Sequence, residues 1–372
     1  DIKFLKQYPD FLEWYTKKKP KGITEAVDVT LSGYDLDESN AKKIDAYIQK
    51  HQESKLNKTY PLKLRGVRED LPVYSLPLDL LFYNIRNGRF AMEYGALKAK
   101  EGHELRTEDS ADAKKIQNLL LDIDPKHTLY LVNDIKKMRQ TEPGVITIGG
   151  YVLNGNRRMA VLQNLVEQGD SSFGYLEVAR LPGKVSPIDV WKIEAGIQLS
   201  REKQLDYDPI NVLLKFDEGL NSGLSSMEMA KSLYGGFKEK DIVEKLQQLK
   251  LIVQYLRFIE CPKQFHRVKG LDTHFIEIRK NVLNAEKRGL SPAEITDIKL
   301  IGFQLIFDGT SHKDLRKIDK IVADEEIKEE FWKALDYSKA ESLAKKAQVR
   351  KDSEDKDALT PAREIFTECV DF

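Results

Sequence analysis

Cysteine is nearly absent from these 372 residues: Cys261 and Cys369 stand alone, with no CxxC and no Cys/His pair at metal-ligand spacing. That excludes a disulfide framework and a cysteine-based zinc site, and it fits a reducing compartment. Net charge is missing too, because sixty basic residues balance sixty acidic ones. No whole-molecule field draws the chain to nucleic acid or anionic lipid, so any such attraction must be local. Long apolar runs are lacking; Leu249–Ile259 is interrupted by Lys250, Gln254 and Arg257, and nothing is expected to span a membrane. The start, Asp1–Ile2–Lys3–Phe4, has neither the layout of a signal peptide nor an initiator Met, consistent with numbering that begins inside a longer chain. The expectation is a soluble, cytoplasmic protein.

Catalytic signatures are equally scarce. The histidines (His51, His103, His127, His266, His274, His312) form no HExxH or HxH, and no metal ligand set is expected from them. Gly-x-Ser-x-Gly, GxGxxG and Walker loops are absent. No internal repeat is evident.

What is there reads as several domains, since 372 residues exceed one ordinary core. Residues 1–60 read as a helical N-terminal region with aromatic anchors Phe4, Tyr8, Phe11, Trp14 and Tyr15, followed by the basic run Lys17–Lys21, a solvated loop on its face. Residues 61–183 carry short β-like runs at Leu71–Leu76, Val145–Ile148, Tyr151–Leu153 and Phe173–Val178. Helices are expected at Asp112–Leu121 and from Arg157 to Gly169. Residues 184–260 and 261–340 read as helical domains, with capping boxes at Ser225–Glu228 and Ser291–Glu294. Ile242, Leu246, Leu249, Val253 and Leu256 form one core stripe, and Leu315, Ile318 and Val322 another. Residues 341–372 read as a charged linker and tail. The fold class is α+β: a small α+β domain followed by a mostly α-helical region.

The best candidate for a working site is Asn154–Gly155–Asn156–Arg157–Arg158. A glycine hairpin around Gly149–Gly150 delivers the chain into a turn that opens a helix at Met159. Unpaired backbone N–H groups and the helix dipole make such a turn an anion site, and two arginines can fork onto phosphate oxygens. The plainer alternative is that Arg157 and Arg158 pair with acids on the surface.

Gly155–Asn156–Arg157–Arg158–Met159–Ala160 resembles the Gly-Glu-Arg-Arg-x-x-Ala box of the ParB N-terminal domain family, which has the ParB/sulfiredoxin-like fold. Leu76–Pro77–Leu78–Asp79 and Asn84–Ile85–Arg86–Asn87–Gly88–Arg89–Phe90 resemble its opening strand and Asn-Pro-x-x-x-Arg element. Glu142–Pro143–Gly144–Val145–Ile146 sits where the family has Gln-Pro-Ile and a strand. Asp206–Tyr207–Asp208–Pro209 resembles its Asp-Leu-Asn-Pro, and Gly223–Ala230, Gly235–Gly236–Phe237 and Asp241–Leu251 its helix-turn-helix. The resemblance covers roughly residues 71–258, with the 91–128 stretch as an insertion.

It implies a nucleoside triphosphate (CTP or ATP) with Mg²⁺ as ligand, held by Arg89, Asn154, Asn156, Arg157 and Arg158, with Gly155 shaping the turn. The implied role is a nucleotide-dependent switch acting on or beside DNA, with a homodimer also implied. Relatives of the fold that are phosphotransferases or nucleases supply a second reading, a slow NTPase or related enzyme with Glu142 or Glu177 as base. A third is a protein-interaction module with a decayed pocket, binding a partner through its helical region. Asn156 stands where the family has a carboxylate, and its Glu-Asn pair falls near Ser200 and Arg201. Turnover is therefore expected to be slow or absent, and Asn156→Glu to strengthen Mg²⁺-dependent binding. Lys238, Lys240 and Lys245 are the DNA-contact candidates. Ser200–Lys250 holds eight basic against nine acidic residues, so DNA contact is expected to be weak and salt-dependent, or made elsewhere, as at Lys17–Lys21.

Overall fold

The computed structural model describes residues 38–183, 185–199, 208–233, 237–324 and 326–329. Lys17–Lys21 and the N-terminal aromatics, Ser200–Arg201, Asp206–Tyr207, Gly235–Gly236 and the tail with Cys369 lie outside them.

The described residues open on α1 (Glu38–Lys50) and a long hairpin, β1 (Lys55–Leu64) and β2 (Val67–Pro77). Among the described residues strand structure begins at Lys55, inside the stretch read as helical. After β3 (Phe82–Tyr83), a single turn of 3-10 helix at Gly88–Phe90 leads into α2 (Ala91–Glu101), α3 (Ser110–Asp122) and α4 (Pro125–Met138). The hairpin β4 (Gly144–Ile146) and β5 (Tyr151–Asn154) follows, then α5 (Asn156–Glu167) and β6 (Tyr175–Arg180). Helices α6 (Pro187–Leu199), α7 (Pro209–Asn221), α8 (Ser226–Ser232), α9 (Glu239–Phe258), α10 (Asp272–Lys287), α11 (Pro292–Phe307) and α12 (Ile318–Val322) complete the described chain.

The six strands form one mixed sheet in the order β1-β2-β6-β4-β5-β3. β6 pairs antiparallel with β2 and parallel with β4, and β5 runs antiparallel to β4 and parallel to β3. Period-2 alternation sorts its side chains onto two cores. Ile146, Val152, Leu176 and Val178 pack with Ile116, Leu120, Met159 and Leu162 on one face. Val73, Val145, Leu153 and Ala179 pack with Val190, Ile193 and Ile197 of α6 on the other. The segment 91–128 is part of the domain core, contributing Tyr94, Leu105, Ile116 and Leu120 to it.

Helix α6 is apolar on more than one side, which marks a helix buried all round. Its Trp191 and Ala195 enter a further core with Phe216, Leu224, Met229, Ile242 and Leu246. The sheet and these helices accordingly form one compact unit, which runs to Leu246 and takes back Gln264–Arg267; the other holds Gln247–Lys263 and the described residues from Val268 onward. Both expected capping boxes are formed, at Ser225 and at Ser291. In the second unit Tyr255 stacks edge-on against Phe275 and Phe303 (ring centroids 5.4 and 5.8 Å). Leu315, Ile318 and Val322 are buried there. No described helix is long and apolar enough to cross a membrane.

Candidate functional site

Gly155 is the hinge of the site. It sits at φ 113°, ψ 7°, a left-handed conformation that L side chains rarely adopt, and turns β5 into α5 within one residue. No side chain caps the helix at Gly155. The first helical N–H groups lack intrahelical acceptors, so Asn156, Arg157 and Arg158 begin α5 with donors and the positive end of its dipole. Asn154 pairs with Val145 across the hairpin, which holds the turn's entry rigid.

The two arginines diverge. Arg157 lies within electrostatic range of Asp124, at the start of α4, and Glu93 of α2; burial lowers its pKa from the ordinary value while those carboxylates raise it. Its Nη1 is buried and has no hydrogen-bond partner. Such an orphaned donor costs about 1–3 kcal/mol, more when charged, unless a ligand or water meets it. Arg158 turns elsewhere: its Nη1 donates to the Glu142 carbonyl, which fixes the connection into β4. Burial lowers the Arg158 pKa as well, with Glu142 and Glu177 opposing. The two side chains of the expected pair face different groups, because successive helical residues point about 100° apart at 3.6 per turn.

The proposed bases are placed around Arg158, not around Arg157. Glu142 is exposed. The Glu177 carboxylate is taken by Lys58 and its backbone N–H by Gln140 Oε1 at 3.0 Å.

Asn156 is 5% exposed, and its amide is a clamp. Oδ1 accepts the Asn84 N–H at 2.9 Å and Nδ2 donates to the Val152 carbonyl at 2.7 Å. A carboxylate there could not donate to Val152 and would bury charge against its carbonyl. Asn156→Glu is therefore expected to destabilise the domain by about 1–3 kcal/mol rather than strengthen Mg²⁺-dependent binding. Thermal unfolding with and without nucleotide and Mg²⁺ checks this; unchanged stability with tighter binding would refute it.

Sequence reasoning missed most of the polar ring behind the turn. Asn87 Nδ2 donates to the Leu153 carbonyl at 2.9 Å, and Asn87 Oδ1 accepts from Arg89 N–H and Gln198 Nε2, each at 3.0 Å. Arg89 is placed by this turn, and its carbonyl accepts from Asn211 Nδ2, which also reaches Glu93. Asn84 Nδ2 donates to Glu194, which pairs with Lys215; Lys215 also reaches Glu218 at 2.8 Å. Glu194 and Lys215 are both 0% exposed. Burial pushes Glu194 up to about 7 although Lys215 pulls it down; burial lowers the Lys215 pKa, but the two carboxylates outweigh it and leave it raised. The one available signal was Glu194 itself, an acid between Ile193 and Ala195 in a helix apolar on opposite sides.

In the helical region, Lys238 and Lys240 are exposed, while Asp241 Oδ2 caps the Lys238 N–H at 2.8 Å and Glu244 lies 3.9 Å from Lys240. Lys245 is half-buried one to two turns on. Among the described residues no group of three or more His, Cys, Asp or Glu side chains is gathered as a metal site. No family model and no curated protein matches the sequence.

Proposed function

We propose that this protein binds a phosphorylated ligand, a nucleoside triphosphate (CTP or ATP) carried with Mg²⁺, at the N-terminus of α5, and uses it as a switch. The observation that carries the reading is Arg157, whose buried Nη1 has no partner, beside the uncapped helix start that left-handed Gly155 creates. Both features suit an anion. Mg²⁺ would arrive on the triphosphate, keeping several of its waters, since it needs few protein ligands.

The ring of Asn84, Asn87 and Asn156 joins this turn to α6 and α7, so ligand contact at Gly155 bears on the helices that follow. Closure on binding is then a shift between two packings of that ring. A DNA contact would be an accessory one, through Lys238 and Lys240, and the neighbouring Asp241 and Glu244 keep it weak and sensitive to salt.

Calorimetry with CTP, ATP and GTP in Mg²⁺, alongside phosphate release, tests the reading. Saturable binding of at least one triphosphate with little phosphate release is the expected result. Rapid release would move the protein to the enzymatic reading. Failure of every triphosphate to bind would refute the cradle.

A further inference from the structure

Gln198, near the end of α6, is 6% exposed, and its Oε1 is buried without a hydrogen-bond partner. The network decides which end of the amide is which. Asn87 spends its Nδ2 on the Leu153 carbonyl and therefore turns an oxygen towards Gln198. That oxygen, already accepting from Arg89 N–H, requires a donor, so Gln198 presents nitrogen to Asn87 and keeps its own oxygen for something else. Asn87 also anchors the end of β5 two residues before Gly155, so Gln198 is linked through Asn87 to the strand that leads into the cradle.

The groups assigned to the phosphate, Arg157 and the helix N–H groups, are donors, and they suit an anion's oxygens. A carboxamide oxygen does the reverse: it repels phosphate and accepts only from a hydroxyl or an amine. Donors at the turn, joined through Asn87 to a buried unpaired acceptor, are matched by an anion that also carries a donor.

We propose that Gln198 is a specificity residue of the cradle, accepting a hydrogen bond from a sugar hydroxyl of a phosphate ester, so that the site prefers a ribonucleotide to a bare polyphosphate. This rests on the cradle reading above. Sites built to bond a ligand hydroxyl reject analogues lacking it, because the site's own polar group is then left unpaired.

The test uses the full chain, calorimetry in Mg²⁺, and five probes: CTP, ATP, the 2′-deoxy and 3′-deoxy forms of whichever binds, and inorganic tripolyphosphate. Wild type should bind the ribonucleotide about tenfold more tightly than one of the deoxy forms, and more tightly than tripolyphosphate. Gln198→Met keeps the volume and leaves Asn87 Oδ1 with its Arg89 donor. It should lose about tenfold, or 1.4 kcal/mol, on the ribonucleotide while tripolyphosphate affinity is unchanged. Equal binding of ribo- and both deoxy forms by wild type would overturn the proposal without needing the variant, and would leave the cradle standing. An equal loss on nucleotide and tripolyphosphate would make Gln198 a support for the Asn87 turn and overturn it too. If wild type binds no probe, the cradle reading falls and takes this one with it.

Discussion

Replacing Lys215 with methionine should lower the unfolding free energy by about 3–5 kcal/mol at about pH 8, and by clearly less at about pH 5. The ammonium is fully buried, bonded to Glu194 and Glu218, and Glu194 is fully buried as well. Removing one partner of such a pair strands the other's charge in a poorly solvating interior. Glu194 can escape by holding its proton, which sets the pH dependence. Its folded-state pKa is already raised to about 7, chiefly by burial. A raised folded-state pKa contributes stability that is intact below the unfolded value of about 4.3 and is lost as pH rises through the folded value. In the wild type that loss ends near the folded value of about 7, where Glu194 ionises beside Lys215. In the variant the carboxyl must stay protonated further up, so each further pH unit costs about 1.4 kcal/mol more. Denaturant titrations of both proteins across this range measure it. Parallel curves, offset equally at every pH, would show that packing rather than charge accounts for the loss.

Arg157→Ala should weaken binding of a nucleoside triphosphate by about tenfold to 150-fold, the worth of one charged hydrogen bond at about 1.5–3 kcal/mol. Arg158→Ala should leave that affinity unchanged and lower the melting temperature instead, because its guanidinium faces Glu142 and Glu177 and donates to the Glu142 carbonyl. The contrast arises from two neighbours in sequence that face different groups in space: Asp124 and Glu93 for the first, Glu142 and Glu177 for the second. Comparable losses of affinity from both substitutions would restore a two-pronged clamp and overturn the assignment made here.

The turn at Gly155 was legible because its ingredients are adjacent: β-branched and apolar residues, a glycine, then a helical stripe. β1 was not, for reasons visible in its own residues. Lys55, Asn57, Lys58 and Lys63 alternate with Leu56, Tyr60, Leu62 and Leu64, and Pro61 interrupts the run. That mixture reads poorly as a strand, yet it suits an edge, where lysine and proline discourage pairing with another chain. Within 91–128 the helix expected at Asp112–Leu121 is present as Ser110–Asp122, and its Ile116 and Leu120 are buried in the core. The polar ring was illegible for a different reason. Asn84 and Glu194, or Asn87 and Gln198, meet only after the sheet has closed, and no spacing along the chain announces them. The inward turn of Asn156 was hidden in the same way: residue type alone leaves open whether an amide meets solvent or two backbone groups.

The order of strands also dictates when this unit can fold. β6, the partner of both β2 and β4, is the last strand of this sheet to be made, and Val73 must wait for Ala179. Arg180 then reaches Asp45 and the carbonyls of Ala41 and Ile148. Closing such distant pairs comes late and slows folding. On the ribosome, a nascent chain that stops short of Arg180 leaves β2 and β4 each with an unpaired edge, an invitation to aggregate. Closure of the sheet during synthesis thus waits on the emergence of one six-residue strand, Tyr175–Arg180.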